Sequence, residues 1–210
     1  MVMQDLKCNT VYKLSLRDKI LDVAMPLFVA NGIRSVKMDD IASILSVSKR
    51  TLYEIFQDKE DLLLAGLQRG DQKKLCRVRH IVATSCDVMD AIIALCKIQT
   101  EDINDVSLQY VSDISRYPRI LEYFHTEEKN VTAFTKELIR RGVEEGYFLT
   151  TVNYDLVINL WIGQRKYVMN EQMYKNHSFK ELYFNTTIVS LRGVCTLRGV
   201  ERLDRYIRSL

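Results

Sequence analysis

Between Leu16 and Gly32 the chain reads LRDKILDVAMPLFVANG, and Ile20, Leu21, Ala24, Leu27 and Phe28 return at intervals of three and four or adjacent to them. That spacing puts them on one face of a helix, and Asn31-Gly32 is a C-terminal stop. Pro26 lies inside this helix, where it removes one backbone bond and predicts a bend. The pattern then shortens. Ile41, Ala42 and Leu45 make one inner face, and Leu52, Ile55 and Phe56 make another, with Ser46-Val47 as a tight link. Asp39 and Asp40 open the first of these helices, where carboxylates suit the positive end of the dipole, and Ser48 is a natural N-cap for the second. Two short helices joined by such a turn form a helix-turn-helix. Ala42 is small enough to let the second helix cross the first closely.

Longer elements follow. Asp58 is the cap candidate for a helix from Lys59 to about Ile81. Asp87 to about Thr100 reads as another, with Ile92, Ile93 and Cys96 inward, and Val106 to Tyr117 as a third, stopped by Pro118. Pro118 suits the first turn of a helix reaching about Glu145, with Gly146 ending it. Tyr154 to about Lys175 and Phe179 to Leu210 complete the set. No segment alternates with period two, and the one Asn-Gly pair is flanked by helical patterns, so the expected fold is all-α. It has an N-terminal three-helix helix-turn-helix domain, residues 1–57, and a C-terminal helical ligand-binding and dimerisation domain, residues 58–210. No linker rich in Gly, Pro or Ser separates them; they share the helix from Asp58 to Ile81. LRGV occurs at Leu191 and again at Leu197, six residues apart, which is too short for a repeat unit.

Composition narrows the function only slightly. The chain has 210 residues and a formal net charge of +3, so a case for nucleic acid rests on local placement of cations rather than on overall charge. The five cysteines, Cys8, Cys76, Cys86, Cys96 and Cys195, include no C-x-x-C pair and read as reduced, buried thiols of a cytoplasmic protein. The N-terminus has no apolar core of a signal peptide, and no run of about 18 apolar residues could span a membrane.

The short helix after Ser48 carries the chemistry. With Leu52, Ile55 and Phe56 inward, Lys49, Arg50, Tyr53 and Glu54 point outward and Thr51 lies at the edge. A major groove about 12 Å wide admits one helix. There Arg or Lys can donate to guanine O6 and N7, Thr can touch a thymine methyl, and Tyr53 can donate to a phosphate. Glu54 would repel the backbone, so it points elsewhere or accepts from a cytosine amine. Lys37 and Arg34 precede the pair of helices and Lys59 follows it, placing cations for phosphates that fix register without reading sequence. The DNA-binding set is therefore Lys37, Ser48, Lys49, Arg50, Thr51, Tyr53 and Lys59.

The segment GIRSVKMDDIASILSVSKRTLYEIFQDKEDLL, from Gly32 to Leu63, resembles the DNA-binding segment of TetR-type transcriptional regulators. The resemblance lies in Gly32, the Asp40-Ile41-Ala42 step, Val47-Ser48-Lys49, Thr51-Leu52-Tyr53, Phe56, and Lys59-Glu60 before Leu62-Leu63. It implies a homodimer with a nine-helix-like architecture that represses from a palindromic operator until a small molecule releases it. Three positions depart from the family pattern: Lys37 stands where a capping Thr is usual, Ser46 where Gly is common at the turn, and Arg50 where the residue is commonly small.

Two helix-turn-helix units across a twofold axis match two half-sites. The dimer face is expected on the last two helices, at Leu160, Gly163, Ile188, Leu191 and Cys195, with Leu156, Tyr167, Leu203 and Ile207 on the same stripes. Gly163, Gly193 and Gly199 cost about 1 kcal/mol each within helices, easier to understand if another helix approaches. The aromatic residues Tyr110, Tyr117, Phe124, Phe134 and Trp161 are the candidate lining of a ligand pocket. His80, His125 and His177 lack metal-pair spacing, so no metal and no cofactor are expected. Nor does the chain hold a nucleophile elbow, a phosphate loop or a metal signature of an enzyme. The competing reading is a helical DNA-associated interaction protein with no small-molecule effector.

Overall fold

Helix α1 (Val2–Asn31) continues through Pro26, and it begins well before Leu16, where the expected helix starts. The computed structural model describes residues 2–103 and 106–208, with side chains for 13–101 and 106–208. The Cys8 side chain and the expected end of the last helix at Ser209 and Leu210 lie outside the described residues and side chains. Gly32, at φ 85°, turns the chain out of α1, a backbone conformation costly for residues with a Cβ. Next come α2 (Met38–Ile44), α3 (Lys49–Ile55) and α4 (Lys59–Thr84). Asp58 caps α4 by accepting from the Asp61 amide at 2.7 Å. Then follow α5 (Val88–Ile103), α6 (Leu108–Ile114) and α7 (Pro118–Glu144).

Two compact units emerge. The first holds Met1–Lys74 and Asp105–His125, the second Leu75–Asn104 and Thr126–Leu210. The chain passes from one to the other within α4 and again within α7. The first unit thus takes in the start of α4 and all of α6 as well as the helix-turn-helix. In its core Ile20, Leu21, Ala24 and Phe28 of α1 are fully covered, as are Ile41, Leu52, Leu62 and Leu63. Burial of each large side chain contributes about 1.5–3 kcal/mol. That packing holds α2 and α3, which at seven residues each would be unstable alone in water.

The second unit is built from the end of α4, α5, the latter part of α7, α8 (Tyr154–Asn170), a 3-10 turn (Met173–Lys175), α9 (Phe179–Tyr183), a π-helical turn (Phe184–Ile188), α10 (Val189–Gly193) and α11 (Leu197–Ile207). Two of the expected helices are broken. The one expected to reach Lys175 stops at Asn170, and Gln172 turns the chain at φ 51°. The last helix divides after Gly193, because the backbone there pairs with the link between α7 and α8. Leu149 N–H donates to Val194 O at 3.0 Å and Thr196 N–H to Tyr147 O at 2.9 Å, and the Thr196 hydroxyl then caps α11. A Cβ on Gly199 would lie 2.3 Å from Tyr147 O. Its own chain therefore explains that glycine, not a partner helix. No strand occurs among the described residues, only an isolated bridge between Phe148 and Cys195, and no described helix is long and apolar enough to cross a membrane.

Candidate nucleic-acid interface

Leu52 and Phe56 fix the orientation of α3: both are buried in the first unit, so Lys49, Arg50, Tyr53 and Glu54 are left on the outer face, all exposed. Ser48 caps the helix, its hydroxyl accepting from the Thr51 amide at 3.0 Å and lying 2.7 Å from the Thr51 hydroxyl. Ser48 therefore shapes the start of α3 while remaining exposed.

Helix α2 lacks the usual hydroxyl cap, since the Lys37 ammonium cannot accept a hydrogen bond. The other half of a capping box compensates: Asp40 accepts from the Lys37 amide at 2.8 Å, and the Lys37 side chain stays exposed. The turn between the helices runs through Ser46 at φ 54°, a conformation glycine would adopt without strain.

Charge pairing on this face is specific. Lys49 Nζ donates to both Asp39 oxygens, at 2.9 and 3.0 Å. The hydrogen bond to Asp39, then its charge, raise the Lys49 pKa above the ordinary lysine value. Arg50 Nε donates to Glu54 at 3.0 Å. Glu54, which has no good place against phosphates, thus turns back along the helix to Arg50.

Lys59 is placed differently from a free surface cation. It is half-buried, donates to the Ile33 carbonyl at 3.0 Å, and desolvation lowers its pKa. It holds the loop before α2. The same loop is held from α6 by Asp113, a fully buried carboxylate with no counterpart in the sequence reading. Its partner there, the Arg34 amide, is 79 residues away, so no local pattern announces it.

Residues 20–65 match the family model for bacterial regulatory proteins of the tetR family. Over 164 residues the chain is 25% identical to the HTH-type transcriptional repressor KstR2 of Mycobacterium tuberculosis, covering 73% of this chain and 82% of that one. Over 71 residues it is 38% identical to the HTH-type transcriptional activator FasR of Mycolicibacterium smegmatis, covering 34% and 32%. The fold is similar to the fatty acid degradation regulator FadR of Bacillus halodurans, with a TM-score of 0.65 and 21% identity over 84% of this chain and 95% of that one. The N-terminal segment, residues 20–65, is of the tetR regulatory type.

The remaining residues expected to function fall in both units. Of the five aromatic residues, Tyr110 is buried in the first unit, Tyr117 packs against the same core and Phe124 is exposed. Phe134 and Trp161 pack against the core of the second unit. Three of the five thus belong to the first unit and two to the second. A cleft of about 300 Å³ in the second unit is lined by Tyr183, Phe184 and Ile188 together with polar and charged residues, among them Thr100, Lys180 and Glu181. On the expected dimer face, Ile188 of the π-helical turn, Leu191 of α10 and Cys195 of the link before α11 are buried in the core of the second unit. Leu156, Leu160 and Tyr167 are 58%, 58% and 61% exposed. Cys76 and Cys86 are exposed rather than buried, while Cys96 and Cys195 are buried.

Proposed function

We propose that the protein is a cytoplasmic homodimeric repressor of the TetR type. Each protomer lays α3 in a major groove of a palindromic operator, and an apolar small molecule releases the complex. The observation that carries this reading is α3 itself: a short helix braced from behind by Leu52 and Phe56, with Lys49, Arg50 and Tyr53 exposed in front. Arg50 reads a guanine through O6 and N7. Thr51 and Tyr53 flank it, and Lys37 positions a phosphate. Ser48 holds the start of α3, and Lys59 supports the phosphate contacts by fixing the preceding loop.

Dimerisation through α8 is supported by the stripe Leu156, Leu160, Gly163 and Tyr167, which repeats at helical spacing and is open to solvent. A Cβ on Gly163 or Gly193 would meet no atom within 4 Å. Their own chain gives no reason for glycine there, and close approach of a partner helix supplies one. For the effector, the cleft beside the π-helical turn has aromatic and aliphatic walls from Tyr183, Phe184 and Ile188, with Thr100, Ser178 and Asn185 as polar contacts and Lys180 and Glu181 as charged ones. Such turns frequently mark functional sites.

Fluorescence anisotropy with a selected duplex and a scrambled duplex tests the reading. Arg50→Ala should lose about 1–3 kcal/mol of discrimination at one position of each half-site, whereas Lys37→Ala should weaken both duplexes about equally. A parent protein that binds neither duplex contradicts the reading. A parent that binds the selected duplex but answers to no apolar compound favours the DNA-associated interaction protein.

A further inference from the structure

Both cations on the front of α3 are already matched by acids. Lys49 is held by Asp39 of α2 and Arg50 by Glu54 one turn on. The four side chains are 49–89% exposed, and pairs so open to water contribute little to folding. The acids therefore have their main effect on what approaches this face. Against phosphates alone, attraction of each cation is offset by repulsion of its acid, and counterion release is reduced accordingly. A guanine edge adds acceptors that an undirected phosphate contact does not, so it can draw a cation away from its acid.

The geometry points to Asp39 and Glu54 as specificity-determining residues, which keep Lys49 and Arg50 in neutral pairs on non-operator DNA and release them where base edges compete. This inference rests on α3 being the reading helix, as proposed above. It makes acids on a DNA-binding surface useful: they lower binding everywhere, and least where the sequence is right.

The test uses the full-length chain, with Asp39→Asn and Glu54→Gln, titrated onto a duplex selected from a random library and onto its scrambled form. Salt is varied between about 50 and 200 mM. Glu201→Gln removes the same charge from an exposed acid of the second unit and serves as the control for net charge. Circular dichroism confirms folding of each variant. Freeing a cation in each protomer should raise affinity for the scrambled duplex about fourfold per dimer, as two pairs of about twofold each. The salt slope on that duplex should steepen by about one per freed cation, and the ratio of selected to scrambled affinity should fall, with Glu201→Gln leaving it unchanged. An unchanged ratio in Asp39→Asn and Glu54→Gln overturns the inference while leaving α3 as the reader. So does a loss of selected-duplex affinity alone in Glu54→Gln, which would make Glu54 a direct base contact. A parent that prefers neither duplex defeats the underlying reading and the inference with it.

Discussion

The carboxylate of Asp113 on α6 accepts the backbone N–H of Arg34 at 2.8 Å, joining α6 to the loop that leads into α2 and α3. Its other oxygen accepts from the Gln109 side-chain amide at 2.9 Å, and a Cβ on Gly32 would intrude on both groups, 2.3 Å from Gln109 Cγ and 3.2 Å from Asp113 Oδ2. Asp113→Ala strands these donors, and unmet polar groups of this kind cost about 1–3 kcal/mol. Chemical denaturation should show a loss of that size, with Asp113→Asn less damaged because one acceptor survives. An Ala variant as stable as the parent would remove Asp113 from the account of the loop.

Ser46 sits at φ 54° in the turn between α2 and α3. A left-handed conformation at a residue other than glycine costs on the order of 1 kcal/mol, offset in part by the greater freedom of glycine in the unfolded chain. Ser46→Gly should therefore raise stability by about 0.5 kcal/mol, read as a higher denaturation midpoint at unchanged slope. A lower midpoint would show that the serine is held by something other than strain.

Leu160 is more than half exposed on α8, one turn before the open side of Gly163. Leu160→Glu should convert a dimer to a monomer in sedimentation at micromolar concentration, with helical content unchanged. Charges opposed at the core of an apolar interface cost several kcal/mol. A variant that still sediments as a dimer would move the interface off this stripe.

Asp87 binds the second unit together at the start of α5. It accepts from the Tyr147 hydroxyl at 2.7 Å and from Arg202 at 3.0 Å. Desolvation opposes its charge, but the Asp90 amide, Tyr147 and Arg202 outweigh it and hold the carboxyl below the ordinary aspartate value. A folded pKa below the unfolded one means the ionised form is favoured by folding. That contribution is complete above the unfolded value of about 3.9 and is lost as pH falls through the lower folded value. The stability gap between the parent and Asp87→Asn should therefore be constant near neutrality and shrink below about pH 4. A gap that grows on acidification would contradict the assignment.

What the sequence revealed follows the range of the interactions. Helices α2 and α3 and the start of α4 are legible because their signals are local: apolar spacing behind α2 and α3, Ser48 three residues before the amide it caps, Asp58 three before Asp61. The division of the last helix is not, since it depends on backbone pairing between Tyr147–Leu149 and Val194–Thr196. Lys49 and Asp39 meet across the turn from ten residues apart, so no single helical wheel brings them together. The aromatic residues expected to line one pocket divide between the two units, and aromatic content alone cannot tell a wall from a core.

Selection of bound sequences from random duplexes, with the mass of the resulting complex, tests the central claim most directly. The account predicts a palindromic consensus bound by two protomers, with half-site centres about 34–36 Å apart or a multiple of that, and loss of the preferred base at one position of each half-site in Arg50→Ala. An unselected pool in which no sequence is enriched, or a consensus that Arg50→Ala and Tyr53→Ala leave untouched, would contradict it.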